Sequence, residues 1–180
     1  MNSTLRITRR AADRLRAGHL WVYRSDIEQA EDTLAPGALV TVVDSRKIPL
    51  GTALYSSTSQ IAARLVSRSP ALTREQYLAD LRVRIEAALA LRHQIAPVSP
   101  ENNGLRLIFS EADDLPGIIA DRYNNLVLLQ LLTQGTAQDD LRGVLIDTLR
   151  AQLAPAGDPL TIWERPDPRI RELEQLPAPP

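Results

Sequence analysis

The chain has 180 residues, 44% of them hydrophobic, and a formal net charge of -1, which bounds it to one large domain or two small ones with enough apolar surface for a real core. It contains no cysteine, so disulfides, thiolate metal sites and cysteine nucleophiles are excluded. The N-terminus lacks the apolar segment of a signal peptide, and no run approaches the ~18 apolar residues of a membrane span, so a cytoplasmic protein with no membrane partner is expected.

Leu5-Arg6-Ile7 reads as a first short strand. Arg9 to Ala17 reads as a helix that directs Ala12 and Leu15 inward and leaves Arg9, Arg10, Arg14 and Arg16 outward, with Gly18 as its stop. Trp21-Val22-Tyr23 begins an extended segment. The polar stretch from Ser25 to Thr33 reads as irregular, and Pro36-Gly37 as a turn. Three strand-like runs follow, Leu39 to Val43, Leu50 to Tyr55 and Ile61 to Val66, separated by short polar turns in the pattern of a small all-β barrel or sandwich.

Thr73 and Gln76 form a capping box for a helix to about His93, with Leu78, Leu81, Ile85, Ala88 and Leu89 as its buried stripe and Asp80 and Arg84 as an exposed i,i+4 pair. Ala96 to Gly104 is a loop. Leu105 to Phe109 and Ile118 to Asp121 read as strands joined through Ser110-Glu-Ala-Asp-Asp-Leu-Pro-Gly117, and Asn124-Asn125 turns the second into Leu126 to Leu132. That last run is nearly continuous in apolar residues, which predicts a central strand covered on both faces. Thr136 is the expected cap of a further helix, with Asp139 and Asp140 in its first turn and Leu141, Val144, Leu145, Thr148 and Leu149 facing inward. Leu160 to Glu164 reads as one more strand, with a short helix around Arg169 to Leu176. The proline-rich close, QLPAPP, has the composition of an interdomain linker.

Charge is divided unevenly along the chain. Residues 1–74 carry ten Arg and Lys47 against six acids, a balance of +5, whereas residues 75–180 carry ten Arg against sixteen acids, a balance of -6. A nucleic-acid-binding module joined to an acidic partner shows such asymmetry, although a solvated basic surface gives the same count. Contact with RNA phosphates is assigned to Arg9, Arg10, Arg14, Arg16 and His19, and with them Arg24, Lys47 and Arg64, with base stacking from Trp21, Tyr23 and Tyr55 as an addition. For Trp21 burial in the core is favoured, and stacking is the alternative.

Other chemistry finds little support in the residues. None of the eight glycines stands two positions from another, so neither a dinucleotide fingerprint nor a P-loop is present. His19 and His93 have no metal-ligand spacing. A Ser110, His93 and Asp113 set lacks a nucleophile elbow. Glu111, Asp113 and Asp114 could form a hard-metal or general-base cluster, or could fix a turn by bonding to nearby backbone N–H groups. The turn is favoured, because no second carboxylate group completes a cage. Catalytic, cofactor-binding and metal residues are therefore all read as none.

GHLWVYRSDI (Gly18 to Ile27) with PGALVTVVDSRKIPLGTALYSSTSQIAARLVS (Pro36 to Ser67) resembles the PUA domain of the PUA-bearing 23S ribosomal RNA cytosine-C5 methyltransferases, the large-subunit methyltransferase I family. FSEADDLPGIIADRYNNLVLLQ and IWERPDPRIRELEQL resemble that family's central domain. Leu20, Asp114 and Pro166 depart from the family's usual Pro, Gly and Ser, and Asp114 stands where a glycine would accept positive φ more readily. The resemblance implies a mixed α/β fold in two domains. A PUA-like RNA-binding β-barrel spans 1–72, an α+β domain with a mostly antiparallel sheet and two main helices spans 73–176, and a linker begins at 177–180. It implies ribosomal RNA and a C-terminal methyltransferase domain of the same polypeptide as partners, with a homodimer admitted. S-adenosylmethionine is then the cofactor of the full-length protein and is not bound by this chain. Addition of a thiolate to cytosine needs a cysteine, so the chain alone is expected to be inactive. The alternatives are a protein-interaction module docking through the barrel and a metal-dependent hydrolase using the acidic turn.

Overall fold

Leu5 and Ile7 alternate with polar neighbours and become the buried side of β1 (Ser3–Ile7), in a computed structural model that describes residues 3–31, 34–96, 99, 103–154 and 159–177. Thr8 ends the strand and caps α1 (Arg9–Arg16), its Oγ1 accepting from the Ala11 amide at 3.2 Å. The helix buries Ala11, Ala12 and Leu15. β2 (Trp21–Tyr23) follows, then β3 (Ile27–Ala30), β4 (Leu39–Val43), β5 (Pro49–Tyr55) and β6 (Ile61–Ser67). These strands form one six-stranded sheet in the order β2-β6-β5-β4-β1-β3. Only β1 and β4 run parallel within it. Its core gathers Leu5, Ile7, Leu15, Val22, Val40 and Val42 with small residues such as Ala53 and Ala63, which let strands and helix approach closely.

Strand β3 corrects the reading of Ser25 to Thr33 as irregular. Its residues Ile-Glu-Gln-Ala carry little apolar signal because it is an edge strand. It is held instead by antiparallel pairing to β1, with Leu5 opposite Ala30 and Arg6 opposite Gln29, and by an Arg6–Glu28 ion pair at 3.4 Å. Residues 32–33 of that stretch lie outside the described residues.

The capping box forms as written, Thr73 N donating to Gln76 Oε1 at 2.9 Å and Gln76 N to Thr73 Oγ1 at 3.1 Å. It opens α2 (Arg74–Ile95), in which Tyr77, Leu81, Ile85, Ala88 and Leu89 are buried and Leu78 is only half-buried. Asp80 and Arg84 pair at 2.5 Å. Five residues of the expected loop after it, 97, 98 and 100–102, lie outside the described residues, as do 178–180 of the terminal linker.

A second sheet has the order β10-β9-β8-β7, built from β7 (Gly104–Phe109), β8 (Ile118–Tyr123), β9 (Leu126–Leu131) and β10 (Thr161–Glu164). β7–β8 and β8–β9 are antiparallel, and β9–β10 is parallel. Helix α3 (Asp139–Leu153) buries Leu141, Leu145, Thr148 and Leu149, and α4 (Pro168–Glu174) follows β10.

Two expectations change here. The N-cap of α3 is Gln138. Thr136 is fully buried, and its hydroxyl donates to the Gly117 carbonyl at 3.4 Å, which takes it out of the capping role. β9 is central in its sheet but is covered on one side only. Val127, Leu129 and Leu131 are buried, while Leu126, Leu128 and Gln130 between them are half-exposed. An apolar run signals two covered faces only where helices flank both sides, and here the apolar residues on the second side remain open to solvent.

The chain divides into two compact units. One comprises Met1–Tyr77 with Thr133–Gly135 and Glu172–Leu176, and the other comprises Leu78–Leu132, Thr136–Arg171 and Pro177–Pro180. Within the first, Glu174 is buried and accepts from Ser56 Oγ at 2.8 Å and from the Gln134 amide at 3.2 Å. Gln134 in turn accepts from the Ser57 amide at 2.8 Å. Among the described residues no helix is long and apolar enough to cross a membrane.

Candidate nucleic-acid interface

The eight residues assigned to RNA contact do different jobs, and their partners sort them. Arg9 and Arg10 project from the first turn of α1 into solvent, Arg9 with its side chain 87% exposed and only a loose 3.9 Å approach to Asp13. Arg14, one turn on, pairs with Asp26, and its guanidinium also lies 5.7 Å from the centre of the Tyr23 ring. Arg16 donates to Asp44 at 2.5 Å and to Asp13 at 3.2 Å. Arg14 and Arg16 therefore hold α1 to the strands beside it and present less of their charge outward.

Asp44 is the organising acid. It is buried, and its Oδ1 accepts from the Arg46 and Ile48 amides, each at 2.9 Å, which fixes the turn between β4 and β5. The Ile48 amide above all, with Arg16 and the Arg46 amide, holds the Asp44 carboxyl below the ordinary aspartate range, against the opposing effect of burial. The same pair raises Arg16, so both stay charged. Lys47 occupies the left-handed position of this turn, φ 64°, and is exposed.

Arg24 and Arg64 are structural clamps. The Arg24 guanidinium donates to the Ser56 carbonyl at 2.6 Å and to the Ser59 carbonyl at 2.9 Å, closing the loop between β5 and β6. Arg64 has a side chain only 14% exposed and lies 3.6 Å from Glu174. His19 is half-buried; its Nδ1 accepts from the Trp21 amide at 3.0 Å, which puts the imidazole proton of the neutral ring on Nε2. Its ring meets Trp21 edge-on at 5.6 Å and Tyr23 at 6.2 Å, so the three rings form one half-buried aromatic group on an edge strand.

Two adjoining concavities share Arg9 and Asp13. One is open and is lined by Arg9, Arg10, Asp13, Arg14 and Ala17, and the other, of about 250 Å³, is lined by Arg9, Asp13, Arg16, Asp44, Ser45, Arg46 and Ile48. Lys47 instead borders a separate hollow with Arg6 and Glu31. Arg46, absent from the residues assigned by sequence, thus joins Arg9 and Arg10. The Asp-Ser-Arg-Lys turn signal was present, but its position beside α1 depends on the β1–β4 pairing, which one strand's sequence does not encode.

At the acidic turn the Asp113 charge is occupied. Both Asp113 oxygens are bound by Arg92, at 2.7 and 2.6 Å, and Oδ2 also accepts from the Phe109 amide at 2.6 Å. Ser110 Oγ accepts from the Gly117 amide at 2.9 Å, and Asp114 takes the left-handed conformation, φ 55°. Among the described residues no group of three or more His, Asp or Glu is arranged to hold a metal ion. Among the described residues no Gly-rich strand-to-helix turn is present either. β9 runs into α3 past one glycine, Gly135, whose Cα faces Leu54, so these residues do not fit a nucleotide-type methyl donor.

Residues 5–68 match the family model of a PUA-like domain. Over 165 residues the chain is 33% identical to ribosomal RNA large subunit methyltransferase I of Pseudoalteromonas translucida, covering 90% of this chain and 39% of that protein. Over 159 residues it is 34% identical to the same methyltransferase of Erwinia tasmaniensis, covering 88% and 38%. Among solved structures, a Streptococcus mutans protein assigned as a SAM-dependent methyltransferase superposes with a TM-score of 0.72 at 20% identity, over 92% of this chain and 40% of that one. SMU.776, an assigned methyltransferase complexed with SAH, gives 0.70 at 18% identity, over 93% and 44%. These two likenesses speak to fold alone. The chain spans about two fifths of the length of the curated relatives it matches. Its residues 5–68 are a PUA-like domain, and over nine tenths of its length the chain is a relative of the ribosomal RNA large subunit methyltransferase I proteins.

Proposed function

We propose that the chain is the RNA-binding N-terminal part of a cytoplasmic, S-adenosylmethionine-dependent ribosomal RNA (cytosine-C5) methyltransferase. In this reading residues 1–72 form the RNA-binding PUA-like domain, 73–176 a central α+β domain, and 177–180 the start of a linker to the methyltransferase domain of the same polypeptide. That domain brings the methyl donor and the thiolate, since this chain contains no cysteine. The role of this chain is to bind and position RNA.

The observation that carries the reading is the cationic ledge of Arg9, Arg10 and Arg46 around α1 and the β4–β5 turn, on a domain matched to the PUA-like model. Guanidinium groups presented outward on a rigid helix and a hydrogen-bonded turn suit phosphate oxygens, and Arg14 and Arg16 keep that helix in place. Of the assigned contacts, Arg9, Arg10 and Lys47 remain as direct ones. Arg14, Arg16, Arg24 and Arg64 support the surface. His19 offers Nε2–H at the edge of the aromatic group. Titration of the 180-residue chain with structured rRNA segments tests this: binding that is undetectable at low salt sinks it.

A further inference from the structure

The four-stranded sheet leaves one face uncovered, and its composition is unusual. Cross-strand register puts Trp163, Leu128, Asp121 and Arg106 in one row, Thr161, Leu126, Tyr123 and Gly104 in the next, and Gln130, Ile119 and Phe109 in a third. Because paired residues point to the same side, all of these lie on the face opposite Val127, Leu129 and Ala120, which are buried. None of the open-face residues is buried. The chain has only seven aromatic residues, one Phe, two Trp and four Tyr. Three of them stand on this face, Phe109 at 50%, Tyr123 at 54% and Trp163 at 58% exposure. Such large exposed rings, gathered rather than scattered, mark a binding surface.

Charge indicates what binds. Residues 75–180 carry a balance of -6, yet among the described residues the only carboxylate in the rows of this face, Asp121, is held by Arg106 at 2.7 and 2.9 Å. Arg106 also lies 5.0 Å from the centre of the Phe109 ring. Arg165 is exposed and extends the β10 ladder, its amide donating to the Leu129 carbonyl at 2.8 Å, so two positions after Trp163 it points to the same side. The face thus carries two cations and one anion in an otherwise acidic half, complementary to a polyanion. Phe109 and Tyr123 are four residue steps apart along the ladder, roughly 14 Å at about 3.4 Å per step, and β10 is roughly 10 Å from β8. Half-buried Leu126, Leu128 and Ile119 form the floor between the rings. That spacing suits separate, splayed bases and does not suit a continuous duplex.

We propose that this open face is a second RNA-contact surface, on which Phe109, Tyr123 and Trp163 stack unpaired bases while Arg165 contacts the backbone and Arg106, held by Asp121, supports the Phe109 ring. It deepens the RNA-binding reading above and rests on it. Where the cationic ledge on the first unit reads phosphates, this face selects single-stranded segments.

The test uses the 180-residue chain and two fluorescein-labelled RNAs, an unstructured single strand and a duplex of equal length, followed by anisotropy. Trp163→Ala and Phe109→Ala each weaken single-strand binding about tenfold, with duplex binding unchanged, and Trp163→Phe keeps the affinity of the parent. Both positions are exposed, so circular dichroism stays that of the parent. Unchanged single-strand affinity in the Trp163→Ala, Phe109→Ala double variant, alongside weakened binding in Arg9→Ala, Arg10→Ala, overturns this proposal and leaves the first reading standing. No binding of either RNA by the parent removes both. Sedimentation showing a dimer that Trp163→Ala dissociates, with RNA affinity unaltered, assigns the face to a second copy of the chain and also overturns the proposal.

Discussion

The Arg16 guanidinium donates to the Asp44 carboxylate at 2.5 Å, tying α1 to the turn between β4 and β5 that carries Arg46 and Lys47. Asp44 is held below the usual aspartate range, chiefly by the Ile48 amide. A depressed folded pKa stabilises the native state above the unfolded value of about 3.9, and that contribution is lost as pH falls through the lower folded value. Asp44→Asn therefore lowers stability at pH 7, and the gap to the parent closes as the solution is acidified from the unfolded value through the lower folded one. Denaturant unfolding across that pH range measures it. A gap independent of pH would place the effect of the substitution elsewhere.

Arg14 and Arg10 share a helix but should separate two properties. Arg14 pairs with Asp26, whose side chain is 13% exposed, whereas Arg10 has no ion pair among the described residues. Arg14→Ala is expected to cost about 1.5–3 kcal/mol of stability, the range for a hydrogen bond to a charged group. Arg10→Ala leaves stability within about 0.5 kcal/mol and weakens RNA binding. Thermal melts beside binding isotherms distinguish the two outcomes.

Gly135 has no room for a side chain. A Cβ there would stand 2.8 to 3.0 Å from Leu54, a buried residue of β5 in the same unit. Gly135→Ala should destabilise that unit by about 1–3 kcal/mol through overpacking. Leu54→Ala combined with it should recover part of the loss, which a double-mutant cycle in urea reads directly.

At the acidic turn, Arg92→Ala leaves Asp113, 5% exposed, without either guanidinium bond. Breaking one partner of a buried pair costs about 3 kcal/mol. Asp114→Gly moves the other way. A non-glycine residue at φ 55° costs about 1–2 kcal/mol, and glycine returns about 0.5–1 of that as unfolded-chain entropy, leaving a gain of roughly 0.5 kcal/mol. Unfolding midpoints of both variants check the turn. A neutral Arg92→Ala would contradict its structural role.

Local signals in the sequence carried far. The Thr73–Gln76 capping box, the Asp80–Arg84 pair and the Asn124 turn follow from chemistry within four residues, and each stands as read. What escaped depended on distant partners. β3 exists because β1 is beside it, the Thr136 hydroxyl is drawn to Gly117, and the open side of β9 reflects where helices are not. The same holds for the interface. Outward arginines on α1 were legible from helical period, but an arginine's availability depends on whether an acid such as Asp26 or Asp44 folds against it. Arg46 gained its place only through the pairing of β1 with β4.

The salt dependence of RNA binding tests the central claim most directly. For the parent chain, log affinity should fall linearly with log salt. In the Arg9→Ala, Arg10→Ala, Arg46→Ala variant the slope should become shallower by about two to three units, close to 0.7–0.9 per phosphate contact removed, with the fold intact by circular dichroism. An identical slope in parent and variant, or parent binding that persists undiminished at high salt, would contradict an RNA-binding role for this ledge.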